Sequence, residues 1–284
     1  MVPQNAEFVC FYVWGNGYLV FIEEEMYMRI LLICHGDPDY VHDTLTEKGR
    51  REAALLAEHA GHLNLGDCYV SPLGRAQATA AYSLEKLGKK ATTLDWLQEF
   101  PARLDINLSE ALQKAYPDTK QEGDHFVLRN VWDMVPAFWA NHPEYQDREG
   151  WRHCETARYS DLTEVYDKVT GAFDRLLEQY GYRRDGMCYR VERENTQTVT
   201  FFCHFGLSCV LLSHLWNMSP FPLLHSLAMA PTSVTEVVSE EREQGTAYFR
   251  ALRIGDTTHL FAGGEPTSFA CRYCETYSNQ EQRH

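Results

Sequence analysis

From residue 28 onward, short apolar runs alternate with amphipathic stretches. Residues 29–34, Arg-Ile-Leu-Leu-Ile-Cys, are almost wholly apolar and stop at His35-Gly36, as a strand buried on both faces does when it emerges into a loop. In residues 46–60, Ala53, Leu56, Ala57 and Ala60 recur at three- and four-residue spacing, which predicts a helix. Residues 67–71 read as a short strand, and Ser71-Pro72 then places an N-cap and a first-turn proline at the start of a helix running to about Leu87. A third strand is expected near Thr92–Trp96. Residues 160–180 put Leu162, Val165, Val169, Phe173, Leu176 and Leu177 on one helical face. Thr198–Cys203 is a second buried strand, ending at His204-Phe205-Gly206 and followed by an apolar helix over 207–216. Two more strands are expected near 233–239 and 248–254. Strand-helix alternation of this kind predicts an α/β fold, a three-layer sandwich with a mostly parallel central sheet flanked by helices.

Two stretches interrupt the pattern. Residues 100–155 are weakly periodic and hold Trp132, Trp139 and Trp151, and are read as a cap inserted over the site within an α/β domain spanning 28–260. Residues 261–284 read as a polar C-terminal tail. At the other end, residues 8–22 form two β-prone runs around Gly15-Asn16-Gly17, a hairpin signal. The other reading is a non-native extension over 1–27 with Met26 or Met28 as the true start, because Glu23-Glu24-Glu25 before them is also what an in-frame ribosome-binding site would encode.

Composition narrows the function classes. The 284 residues carry 26 basic and 40 acidic side chains, a net charge of −14, with no Lys/Arg-rich run. Nucleic acid and anionic membrane surfaces are therefore not expected partners, and an anionic ligand must be held by a local positive pocket. No apolar run is long enough to span a membrane. Nine cysteines and no cationic start to a leader are read as reduced thiols in a cytoplasmic protein. Cys271 and Cys274 have metal spacing but no second pair, and His59 and His62 lie three apart on a helix without a third ligand, so neither is read as a metal site.

The chemistry collects at strand ends. His35 and His204 each terminate a buried strand before a glycine-containing turn, and parallel neighbours would deliver both imidazoles to one sheet edge, where open α/β sheets bind ligands. Gly36 and Gly206 would allow close backbone approach. Arg75, one turn into the helix that Ser71 opens, would reach back to a helix mouth suited to phosphate. Glu99, after a strand end, is a candidate proton donor.

In these segments the sequence resembles the histidine phosphatase superfamily, often called phosphoglycerate mutase-like. The resemblance rests on six ordered segments: Leu31–Gly36, Leu45–Ala53, Ser71–Ala80, Leu97–Glu99, Cys203–Gly206 and Gly255–Leu260. It implies that His35 is a nucleophile that becomes phosphorylated, that Arg75 and His204 bind phosphoryl oxygens, and that Glu99 is the acid. Cys34, Gly36, Ser71, Arg103, Phe205 and Gly206 would line the substrate site. No metal or cofactor is implied. A neutral His35 and a protonated His204 would suit the chemistry, so their pKa values are expected to be pushed apart.

One position departs from the family. The residue before the nucleophile is normally Arg, and here it is Cys34, which removes a guanidinium worth roughly a hundredfold to a thousandfold in rate. Arg103 and Arg50 are candidate substitutes. The leading expectation is a phosphatase acting on a small phosphorylated metabolite. A mutase-type phosphotransferase and a catalytically silent phosphate- or phosphoprotein-binding protein are the alternatives. Oligomeric state is left open by the sequence.

Overall fold

The computed structural model describes residues 26–271 and 276–279. The hairpin expected at 8–22 lies outside them, and the Cys271-Cys274 motif runs beyond them. An eight-stranded sheet forms the centre. Its strands are β1 (Arg29–Cys34), β2 (Asp67–Val70), β3 (Ala91–Thr93), β4 (Tyr182–Asp185), β5 (Cys188–Val191), β6 (Thr198–Cys203), β7 (Val234–Glu243) and β8 (Thr246–Asp256). Their spatial order is β3-β2-β6-β1-β7-β8-β5-β4. From β3 to β1 every pairing is parallel, and from β1 to β4 every pairing is antiparallel. Helices cover both faces, giving the α/β sandwich expected from the alternation.

The two apolar strands work as their pattern requires. Along β1, Ile30 and Leu32 enter one core with Val199, Phe201 and Cys203, while Leu31 and Ile33 enter a second core with Phe202. The second core is closed by α1 (Glu47–Leu63) and α2 (Gly74–Leu87), through Leu56, Ala60, Ala76 and Ala80. The first is closed by α3 (Leu162–Gln179) and α4 (Phe205–Leu215). Burial on both faces explains why these strands read as continuous apolar runs, and at roughly 1.5–3 kcal/mol per large side chain it is the main favourable term holding the layers together.

Three local differences have physical causes. The second helix begins at Gly74, not at Ser71-Pro72, and its N-cap Leu73 makes no side-chain cap bond. Ser71 Oγ accepts from the Leu73 N–H at 3.2 Å and also reaches across the fold to His204. The β4–β5 hairpin has no apolar signature because it lies at the sheet edge, where Arg183, Asp185 and Arg190 face solvent. At the C-terminal end, α5 (Thr258–Gly263) is followed by a segment tied to α1, with Glu265 paired to Lys48 at 2.7 Å and to Arg51 at 2.9 Å.

Residues 100–155 form short helical turns around Tyr116, Tyr145 and Trp151, all almost completely buried. Among the described residues, no helix is long and apolar enough to cross a membrane, and no group of three His, Cys, Asp or Glu could hold a metal ion.

Candidate active site

The sheet places the two histidines together. β1 and β6 are parallel neighbours in register, with Cys34 opposite Cys203 as the last pair. His35 and His204 follow directly, their ring centroids 5.1 Å apart. The loop after β1 is pressed against α1: a Cβ on Gly36 would lie 2.8 Å from the Gly49 carbonyl oxygen, so glycine is required for this approach. The Gly36 N–H donates to Thr79 Oγ1 at 2.9 Å. Gly36 thus fixes the loop and is not among the cavity-lining residues.

Beside the histidines lies a cavity of about 550 Å³. Of the residues picked out from sequence, Cys34, His35, Arg75, Glu99, Arg103 and Phe205 line it. His204 and Ser71 lie one layer behind, both fully buried. Gly206 also stands behind the lining, where a Cβ would meet Glu99 Oε1 and the Trp132 ring, each at 2.9 Å. Arg50 is exposed on α1 and does not reach the cavity. The sequence reading missed Tyr40, Asn130 and Asp133, which also line the wall, and placed Trp132, another lining residue, only within the cap.

The His35 tautomer follows from its partner. Nδ1 lies 2.8 Å from the Gly36 carbonyl oxygen, which can only accept, so Nδ1 carries the proton and Nε2 keeps a free lone pair. Burial, aided by the Arg75 charge and opposed by the Gly36 bond, lowers the His35 pKa to about 4. His204 Nε2 is 2.7 Å from Ser71 Oγ, and Nδ1 has no hydrogen-bond partner among the described residues. Burial, His35 and Arg75 together lower its pKa to about 2. The expected divergence of the two pKa values is therefore not what the free protein shows: both imidazoles are neutral, because both are buried side by side next to one guanidinium.

Arg75 is held by a residue the sequence did not mark. Asp43 accepts from Arg75 Nη1 at 2.7 Å and from the Gly74 N–H at 2.6 Å, so a carboxylate of the chain itself already occupies the α2 mouth. The expectation of an empty, phosphate-ready mouth is corrected accordingly. Tyr40 covers the guanidinium, its ring centroid 5.5 Å from Arg75 Cζ. Nε of Arg75 is buried without a partner among the described residues.

Glu99 lines the same cavity. Its Oε1 accepts from the Phe100 N–H at 2.8 Å and from the Leu207 N–H at 3.1 Å, which places it at the N-terminus of α4. Burial raises its pKa, against the lowering effect of these N–H groups and of Arg75. Burial likewise holds the Cys34 thiol well above its ordinary range, with Cys203 and Glu99 adding to the effect, so Cys34 is uncharged. Arg103 projects into the same cavity from the segment beyond Glu99 and donates to Asn130 Oδ1. The arrangement supplies an imidazole lone pair, two guanidinium groups and a buried carboxyl around one space.

Comparison with known proteins agrees with the motif reading. Residues 30–126 match the model of the histidine phosphatase superfamily (branch 1). A structure of a mycobacterial glucosyl-3-phosphoglycerate phosphatase in complex with inorganic phosphate shares 19% identity and a TM-score of 0.52, covering 81% of this chain and 98% of that one. A structure titled mycobacterial hydrolase 1 shares 18% identity and a TM-score of 0.50, covering 81% and 99%. At these identities the likeness is one of fold. No curated protein matches the chain.

Proposed function

We propose that this chain, whose residues 30–126 match the histidine phosphatase superfamily, is a phosphatase that hydrolyses a small phosphomonoester through a phosphohistidine on His35. The observation that carries the reading is the His35 tautomer: Nδ1–H is fixed on the Gly36 carbonyl, so Nε2 is a neutral nucleophile inside a cavity that also holds Arg75 and Arg103. Nε2 attacks phosphorus as the ester P–O bond breaks, and protonated Glu99 gives its proton to the leaving alkoxide. Water then attacks the phosphohistidine, giving its proton to the Glu99 carboxylate, and the P–N bond breaks to release inorganic phosphate. Splitting one displacement into two in this way is the usual gain of covalent catalysis.

The cations act on the equatorial oxygens. Arg75 provides the fixed charge, and the negative charge of an arriving phosphate favours protonation of His204, reversing the effect that burial has on it in the free protein. Arg103 stands in for the guanidinium lost at Cys34. Residues 28–260 form the working domain, with residues 100–155 covering the site and Trp132, Phe205 and Phe100 contacting the organic part of the substrate. The protein needs no cofactor in this scheme and acts in the cytoplasm.

One observation favours a second reading. Arg75 is committed to Asp43 and Cys34 brings no charge, so the cavity is less cationic than its arginines suggest, as a phosphate-binding protein without turnover would tolerate. Phosphate release from an aryl phosphate, measured beside His35→Ala, separates the two. Turnover that disappears with His35 supports the phosphatase. Saturable phosphate binding without turnover supports the binder.

A further inference from the structure

A second cavity, of about 360 Å³, lies at the far end of α4 from His204, lined by Arg148, Arg152, Arg184, Tyr166 and His214. In a chain of net charge −14, three guanidinium groups converge on one hollow. Two are held rigidly. Arg152 stacks on Trp151 with Cζ 4.7 Å from the ring centroid and on Tyr166 at 5.3 Å, and bonds Asp167 at 2.8 and 3.2 Å. Arg184 stacks on Tyr189 at 4.9 Å, while its Nη2 donates to the His214 carbonyl at 3.3 Å and to Asn217 Oδ1.

These contacts explain part of the cluster as structure: Arg184 closes the carbonyl end of α4 and Arg152 covers Trp151. They do not explain the rest. Nη1 of Arg184 is buried with no hydrogen-bond partner among the described residues, and no carboxylate there lies within ion-pair distance of this guanidinium. Arg148 pairs with Glu149 at 3.1 Å and turns Nη1 toward the Met187 thioether, a weak acceptor. Unspent donors on prepositioned guanidinium groups are what recognition of a tetrahedral anion uses, because the ordering cost is met before the ligand arrives.

We propose that this cavity is a second anion site, which takes the phosphate group of a small phosphorylated ligand and is separate from the His35 cavity. The proposal does not depend on the reaction assigned to His35. Asp174, which engages His214 Nε2 at 2.9 Å, with Asp167 and Glu149 keeps the hollow from excess positive charge when it is empty.

Calorimetric titration of the full chain with inorganic phosphate and with pyrophosphate tests it, using Arg75→Ala to weaken the first cavity. Saturable binding is expected to persist in Arg75→Ala and to weaken about tenfold or more when Arg184→Gln is added. Arg148→Gln, at a side chain about half exposed and so without risk to folding, should weaken it severalfold, and Glu149→Gln should tighten it. Binding abolished by Arg75→Ala, or affinity indifferent to both Arg148→Gln and Glu149→Gln, overturns the second site and leaves the proposed reaction untouched. Loss of turnover in His35→Ala with these affinities unchanged supports both claims separately.

Discussion

Replacing Glu99 by glutamine separates its role as an acid from its role as a structural acceptor. The amide oxygen of the introduced side chain can keep the bonds from Phe100 at 2.8 Å and Leu207 at 3.1 Å, so the α4 N-terminus retains its partner. Glutamine is also uncharged, as the carboxyl is below its raised pKa, and no new charge is buried. What is lost is the proton delivered to the leaving oxygen, a contribution of about a hundredfold to ten-thousandfold. That loss depends on the substrate. An alkyl phosphate, whose alkoxide leaves poorly, should lose the full factor in kcat/KM, whereas a nitrophenyl phosphate should lose about tenfold or less. The pH profile should change with it: wild-type activity on the alkyl ester falls as pH rises through the Glu99 pKa, and the variant profile should lack that limb. A matched series of alkyl and aryl phosphates, assayed by phosphate release, gives both readouts. Equal losses on the two leaving groups, or an unchanged pH limb, would falsify the assignment of Glu99 as the acid.

Other perturbations bear on separate parts of the account. Gly206→Ala would push a methyl to 2.9 Å from Glu99 Oε1 and the Trp132 ring, so turnover should fall at least about tenfold while the midpoint of thermal unfolding moves little; a variant as active as wild type contradicts the packing described. Arg103→Ala should reduce kcat/KM about as much as Arg75→Ala, roughly a hundredfold, and wild-type turnover would remove Arg103 as the substitute for the missing guanidinium. Glu52 is fully buried near Asp37, and burial raises its pKa to about 7. A raised carboxyl favours the folded state when neutral, so wild-type stability should decline between about pH 4.5 and pH 7, and Glu52→Gln should be more stable above that window. The difference is about 1–2 kcal/mol after solvent screening, read by urea unfolding at pH 5 and pH 8, and equal gaps at the two pH values would refute it.

What the sequence made legible follows from how locally each feature is encoded. β1 and β6 were readable because strands buried on both faces must be apolar throughout, and the glycine turns at their ends marked His35 and His204. Ser71 misled because its hydroxyl has two uses, accepting from the Leu73 N–H ahead of the helix and meeting His204 across the fold, while the helix itself starts only at Gly74. Asp43 was invisible: it adopts a left-handed backbone at φ 46° in a loop and finds Gly74 and Arg75 only through the tertiary fold. Trp132 was noted as part of a cap, yet its place beside Glu99 depends on how an aperiodic segment packs. The β4–β5 hairpin carries arginines where an edge strand needs charge, so apolar periodicity could not reveal it.

The most direct test of the central claim is to trap the covalent intermediate. Mixing the protein with an aryl phosphate, quenching in base to preserve phosphohistidine, and mapping peptides by mass spectrometry should show one phosphoryl group on the peptide containing His35, formed and lost at rates compatible with turnover. His35→Ala should show neither the modified peptide nor phosphate release. Sustained hydrolysis by His35→Ala, or a phosphoryl group trapped on any other residue, would contradict the account.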